Sequence, residues 1–201
     1  MLDSEMQGVD RAAGILKGRR IIILGACCGC GRSMTRALTA SGAQVVAADE
    51  DAGALGQIGG AVPLVLKGVQ AAELRRIGKA WGEARLDGVL NLMPLRHPVS
   101  VDLNLAVLQG IVQGFMPALS VHHGQIVTVA ARPDQALEVV AGAMVPALAS
   151  AQTAFAHALR RDGLRLNMIT VGEGGVKPAR VAITGLLAGS MGPLTGAELR
   201  L

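Results

Sequence analysis

The sequence predicts a doubly wound α/β domain on a parallel sheet, and three observations carry that expectation. Short apolar runs rich in β-branched residues recur along the chain, segments with helical spacing separate them, and glycine-rich or polar turns mark the joins. Strands that alternate with helices call for crossover connections, and so for a parallel sheet.

Ile21-Ile22-Ile23-Leu24, closed by Gly25, reads as a fully buried strand. After a glycine-rich turn, residues 33–41 carry Met34, Ala37 and Leu38 at helical spacing, and Gly42 supplies the stop. Residues 45–48 form a second buried strand, 62–66 a third, 71–81 a helix and 88–92 a fourth strand. A long helix is expected over 101–119, a strand over 125–130, and a mostly helical stretch over 136–159 in which Pro146 is the one awkward residue. A sixth strand over 164–170, a helix over 179–188 and a terminal strand over 197–201 complete the run. Residues 1–17 read as a polar, flexible lead, and at 201 residues the whole of 1–201 is a single domain with one sizeable core.

Composition excludes several functions. Hydrophobic residues make up 51% of the chain but aromatics only 1%, and no tyrosine occurs anywhere, so a platform for stacking nucleic-acid bases is not expected. The charge of +4 and pI near 9.4 are spread over scattered pairs such as Arg19-Arg20, Arg75-Arg76 and Arg160-Arg161, without the basic stripe of a nucleic-acid binder. No uninterrupted apolar stretch reaches the roughly 20 residues of a membrane span, and Asp3, Glu5 and Asp10 argue against a secretory signal. The mean hydropathy of +0.44 then points to a buried sheet and a subunit interface. Cys27, Cys28 and Cys30 lie too close together for an unstrained disulfide, which suits a reducing, cytoplasmic setting.

The turn Gly25-Ala26-Cys27-Cys28-Gly29-Cys30-Gly31 between a strand and a helix can hold a pyrophosphate on backbone N–H groups and the helix N-terminus. Gly25, Cys28, Gly29, Cys30 and Gly31 are therefore candidate cofactor contacts. About 20 residues on, Asp49 ends the second strand, where a carboxylate takes the adenosine ribose and repels a 2′-phosphate. That places NAD ahead of NADP as the expected cofactor of a Rossmann-type sheet.

Leu16-Lys17-Gly18-Arg19-Arg20-Ile21-Ile22-Ile23-Leu24-Gly25, with the glycine spacing that follows, resembles the opening of the short-chain dehydrogenase/reductases, which usually have Thr where Leu24 stands. Leu86-Asp87-Gly88-Val89-Leu90-Asn91 is similar to the family's approach to its Asn-Asn-Ala-Gly motif, of which Asn91 alone remains, before Leu92-Met93-Pro94. Asn91 joins the candidate cofactor contacts on that likeness, and Met93 and Pro94 threaten to crowd the nicotinamide end. Asp102-Leu103-Asn104-Leu105 resembles the start of the family's fourth helix, with Asn104 at its proton-relay asparagine. Gly124-Gln125-Ile126-Val127, Gly163-Leu164-Arg165-Leu166-Asn167 and Leu194-Thr195-Gly196-Ala197 extend the likeness over almost the whole chain.

The resemblance implies an oxidoreductase whose proton comes from a Tyr, its pKa lowered from about 10 by a Lys one helical turn further on. Counting back from Gly163 puts Ala141 at the Tyr and Val145 at the Lys, and the serine position falls near Val129-Ala130-Ala131, with only Thr128 offering a hydroxyl. No catalytic residue is therefore assigned. The substrate-covering loop is also cut to residues 171–177, leaving a site open to water.

Other chemistry is less favoured. A helix N-terminus would lower a thiol pKa at the cysteine cluster, but Cys there reads best as a small packing residue. His122-His123, His97 and His157 lack metal partners at motif spacing, so no metal site is expected, and no serine sits in a hydrolase elbow. Helices 101–119 and 136–159 carry apolar residues around most of their circumference, and the resemblance makes them an oligomer interface. The leading expectation is a non-catalytic partner subunit of an active dehydrogenase of this family, homo- or hetero-oligomeric. The alternatives are a nucleotide-sensing scaffold, and an oxidoreductase using a His, a Cys or water as proton donor.

Overall fold

The computed structural model describes residues 14–132, 139–172 and 176–201. Seven strands form one parallel sheet in the order β3-β2-β1-β4-β5-β6-β7. They are β1 (Arg20–Leu24), β2 (Gln44–Asp49), β3 (Val62–Val65), β4 (Gly88–Asn91), β5 (Gln125–Ala131), β6 (Arg165–Val171) and β7 (Glu198–Arg200). The helices are α1 (Gly29–Ala40), α2 (Ala52–Leu55), α3 (Ala71–Trp81), α4 (Met93–Arg96), α5 (Val101–Ser120), α6 (Val139–Ala158) and α7 (Val176–Ala188).

The continuous apolar runs of β1, β4 and β5 follow from burial on both faces, since side chains alternate across the sheet. Ile22, Leu24, Val89 and Ile126 face one layer with Leu74, Ile111, Phe115 and Met144 of α3, α5 and α6. Ile21, Ile23, Leu90 and Val127 face the other, with Met34, Leu38, Ile183 and Leu187 of α1 and α7. At about 1.5–3 kcal/mol for each such side chain fully removed from water, these two layers dominate the stability of the fold.

Most of the expected lead falls outside the described residues, but its last part is anchored. Leu16 is fully buried in the α1/α7 layer, and its N–H donates to the Ser41 carbonyl at 3.0 Å. The short helices α2 and α4 were not expected, and α1 begins four residues ahead of the apolar periodicity because Gly-Cys-Gly carries no hydrophobic signal. Pro146 lies within α6, and Pro117 within α5. By length and composition α5 could cross a bilayer, yet Val107, Leu108, Ile111, Phe115 and Leu119 are buried within the domain.

The strand order reverses direction between β1 and β4, the switch point at which ligands bind beyond the carboxyl ends of the strands. The register sets Leu24 beside Ala48 and Asn91, and Asn91 beside Thr128.

Candidate functional site

At the end of β1 the chain turns through Gly25 with φ of +82°, a conformation a side chain would strain. The Gly25 and Ala26 N–H groups donate to the Ala48 carbonyl at 3.0 and 3.3 Å, tying the turn to β2. Cys28 caps α1, its Sγ accepting the Gly31 N–H at 3.2 Å. A Cβ on Gly31 would lie 2.5 Å from the Ala26 oxygen, so the helix starts pressed against the turn. Gly29 is different: nothing stands within 4 Å of where its Cβ would be. Among the described residues the N–H groups of Gly29 and Cys30 have no protein partner. Two unspent donors at a helix N-terminus, under open space, fit the pyrophosphate of a dinucleotide.

Asp49 lies beside this cradle at the end of β2, 3% exposed. Its Oδ2 accepts the Cys27 N–H at 2.9 Å and its Oδ1 accepts the Glu50 N–H at 2.8 Å. Arg96 Nη1 reaches both oxygens at 2.6 Å. The carboxylate expected to meet a ribose is therefore already an ion pair, and the ground for placing NAD ahead of NADP, a bare negative charge, is not what the site presents. Arg96 arrives there as the last residue of α4, the helix that follows directly on Asn91 and Leu92 at the end of β4. Met93 and Pro94 are buried in its first turn, and Asn91 Oδ1 accepts the Met93 N–H at 3.2 Å.

No family model matches the chain, and no curated protein matches it significantly. Solved structures do match. A short-chain dehydrogenase/reductase from Burkholderia xenovorans superposes with a TM-score of 0.81 at 19% identity, over 94% of this chain and 96% of that one. The fold is that of the short-chain dehydrogenase/reductases. The RhlG/NADP active-site complex of Pseudomonas aeruginosa gives 0.78 at 19% identity, over 92% and 95% of the two chains. The citronellol catabolism dehydrogenase of the same organism gives 0.79 at 18%, over 94% and 95%.

Within this short-chain dehydrogenase/reductase fold, the structure gathers every expected cofactor residue at one end of the sheet. Gly25, Cys28, Gly29, Cys30 and Gly31 form the turn and helix start, Asp49 ends β2, and Asn91 ends β4 one strand away from Leu24. Arg96 was missed, since a single Arg five residues past a strand carries no spacing signal. Cys27 and Cys30 fit the packing role expected of them. Burial, reinforced by Asp49, pushes Cys27 up to about 11, and burial pushes Cys30 up to about 11, so both stay protonated at neutral pH.

On the opposite face of β4 and β5, Val145 of α6 packs half-buried against the core, and the side chain of Ala141 lies outside the described residues. Thr128 is fully buried, its hydroxyl without a partner among the described residues. Asn104 donates to the carbonyls of His97 and Ser100 at 2.8 and 2.9 Å, fixing the α4–α5 turn, while its Oδ1 stays unpaired among the described residues. Among the described residues Asn91 Nδ2 is likewise buried without a partner. β6 ends at Val171 and α7 begins at Val176, and residues 173–175, inside the stretch 171–177 expected in place of a substrate-covering loop, lie outside the described residues. His122, His123 and His157 are exposed, and no metal-ligating cluster occurs among the described residues.

Proposed function

We propose that this chain is a short-chain dehydrogenase/reductase homologue that binds a nicotinamide dinucleotide without itself performing the family's carbonyl chemistry. It acts as the non-catalytic subunit of a dehydrogenase or reductase whose active partner supplies the proton donor. One observation carries the reading: no tyrosine exists in the 201 residues, so no phenol can protonate a substrate oxygen, whatever the alignment. Ala141 and Val145 at the counted positions move no protons either. The cradle at Gly29 and Cys30 supports dinucleotide binding, as do relatives in fold described as an NADP complex and as an NADH-dependent reductase complexed with NAD.

The partner surface we assign is the α5/α6 face. Met144, Leu148, Gln152 and Ala156 form a narrow buried stripe on α6, leaving Val145, Ala149, Ala151 and Phe155 half-covered and Val139 and Val140 exposed. The free thiols at residues 27, 28 and 30 suit a cytoplasmic setting.

The isolated chain should quench or shift the fluorescence of NADH or NADPH on titration, yet give no turnover against a broad panel of carbonyls and alcohols. Steady-state oxidation of either cofactor by the purified chain alone would overturn the non-catalytic reading. Failure of both cofactors to bind would overturn the dinucleotide reading. Co-purification with an active homologue supports the subunit role.

A further inference from the structure

We propose that Arg96 sets the adenosine end of this site to prefer a 2′-phosphorylated dinucleotide over the unphosphorylated one. The inference rests on the reading that the site holds a dinucleotide, and it adds a specificity-determining residue to it.

A carboxylate at the end of β2 favours an unmodified ribose in two ways: it accepts hydroxyl hydrogens and its charge repels a phosphate. Asp49 has lost both means. A carboxylate offers about four lone-pair sites, and Asp49 already accepts four hydrogen bonds, from Cys27 N, Glu50 N and twice from Arg96 Nη1. No acceptor capacity is left for ribose hydroxyls, and the guanidinium at 2.6 Å cancels the charge.

The member of the pair left in reach of a ligand is the cation. The Asp49 side chain is 3% exposed and that of Arg96 28%. Among the described residues, Nε and Nη2 of Arg96 have no partner, which leaves a planar set of donors shaped for phosphate oxygens. Two further carboxylates follow Asp49. Asp51 is committed to the Ala54 N–H at 2.9 Å, and Glu50 is exposed, where solvent screens it.

The test is titration of the full chain with NADPH and with NADH, followed by the fluorescence of the reduced nicotinamide. The wild type should bind NADPH about tenfold or more tightly than NADH, as a charge-assisted contact to phosphate requires. Arg96→Met should remove that ratio by weakening NADPH while leaving NADH unchanged or improved. Because this variant strands a buried carboxylate, Asp49→Asn provides a second arm: it keeps the guanidinium, and the NADPH preference should hold or grow. NADH binding as tightly as NADPH in the wild type, or a ratio unmoved in folded Arg96→Met, overturns the assignment while leaving dinucleotide binding intact. Absence of binding by both cofactors overturns the proposal together with the reading beneath it.

Discussion

Asp87 precedes β4 and locks it to the start of β1. Its Oδ2 accepts the Arg20 N–H at 2.8 Å, and Arg85 pairs with both oxygens at 2.9 Å. Burial alone would raise its pKa, but the Arg85 guanidinium and the Arg20 N–H outweigh burial and hold the carboxyl below its usual value. A folded pKa below the unfolded one contributes stability that is present above the unfolded value, about 3.9, and is lost as pH falls through the folded value. Asp87→Asn should therefore destabilise the protein at pH 7 by about 1–3 kcal/mol, with the gap narrowing in denaturation curves as pH falls below the unfolded value toward the lower folded one. Gly29 gives the opposite test. With open space beyond it, Gly29→Ala should leave the melting temperature unchanged or raise it, while weakening cofactor binding in the same titration by crowding the pyrophosphate. At this scale the glycines and Asp49 were legible, because the turn and the strand end fix them by spacing. Arg96 was not, since its position depends on a four-residue helix whose Met-Pro-Leu-Arg sequence has no periodicity to read.

Two helices, α3 and α5, meet with almost no side chain between them. A Cβ on Gly110 would lie 2.7 Å from the Ala71 Cα, one on Gly114 would lie 2.6 Å from the Leu74 oxygen, and one on Gly78 would run into the Gly114 carbonyl. The backbones touch, and Trp81 closes the end of the crossing edge-on to Phe115 at 6.3 Å. Gly78→Ala and Gly114→Ala should each cost about 1–3 kcal/mol, because backbone on the far side cannot move aside as a side chain would. Thermal denaturation should show a fall of several degrees, about 2–4 °C per kcal/mol at this chain length. The apolar pattern announced both helices but not their closeness, for a glycine inside a helical run looks the same whether it faces solvent or another backbone. The strands were read nearly residue for residue. Burial on both faces had left continuous runs such as Ile21–Leu24, and only a helix of three turns or more develops a period that sequence alone can show.

For the molecule as a whole, the two core layers account for the inward faces of α1, α3 and α7, but not for the apolar surplus on α6. Val140 is 52% exposed at the head of that helix and Val139 76%. If α5 and α6 form the partner face, sedimentation should show an assembly larger than one chain, and Val140→Glu should shift it toward monomer with the melting behaviour of the fold retained. The seven-strand sheet constrains how such an assembly can grow. One border, β3, carries Pro63 at its middle, opposite Ala47, and so presents no amide hydrogen there to an incoming strand; the other border, β7, is three residues long. Neither rim offers a docking ladder of useful length. An assembly through the proposed α5/α6 face would then join helix to helix, and the continuous cross-chain sheets that begin many aggregates are denied a long starting edge.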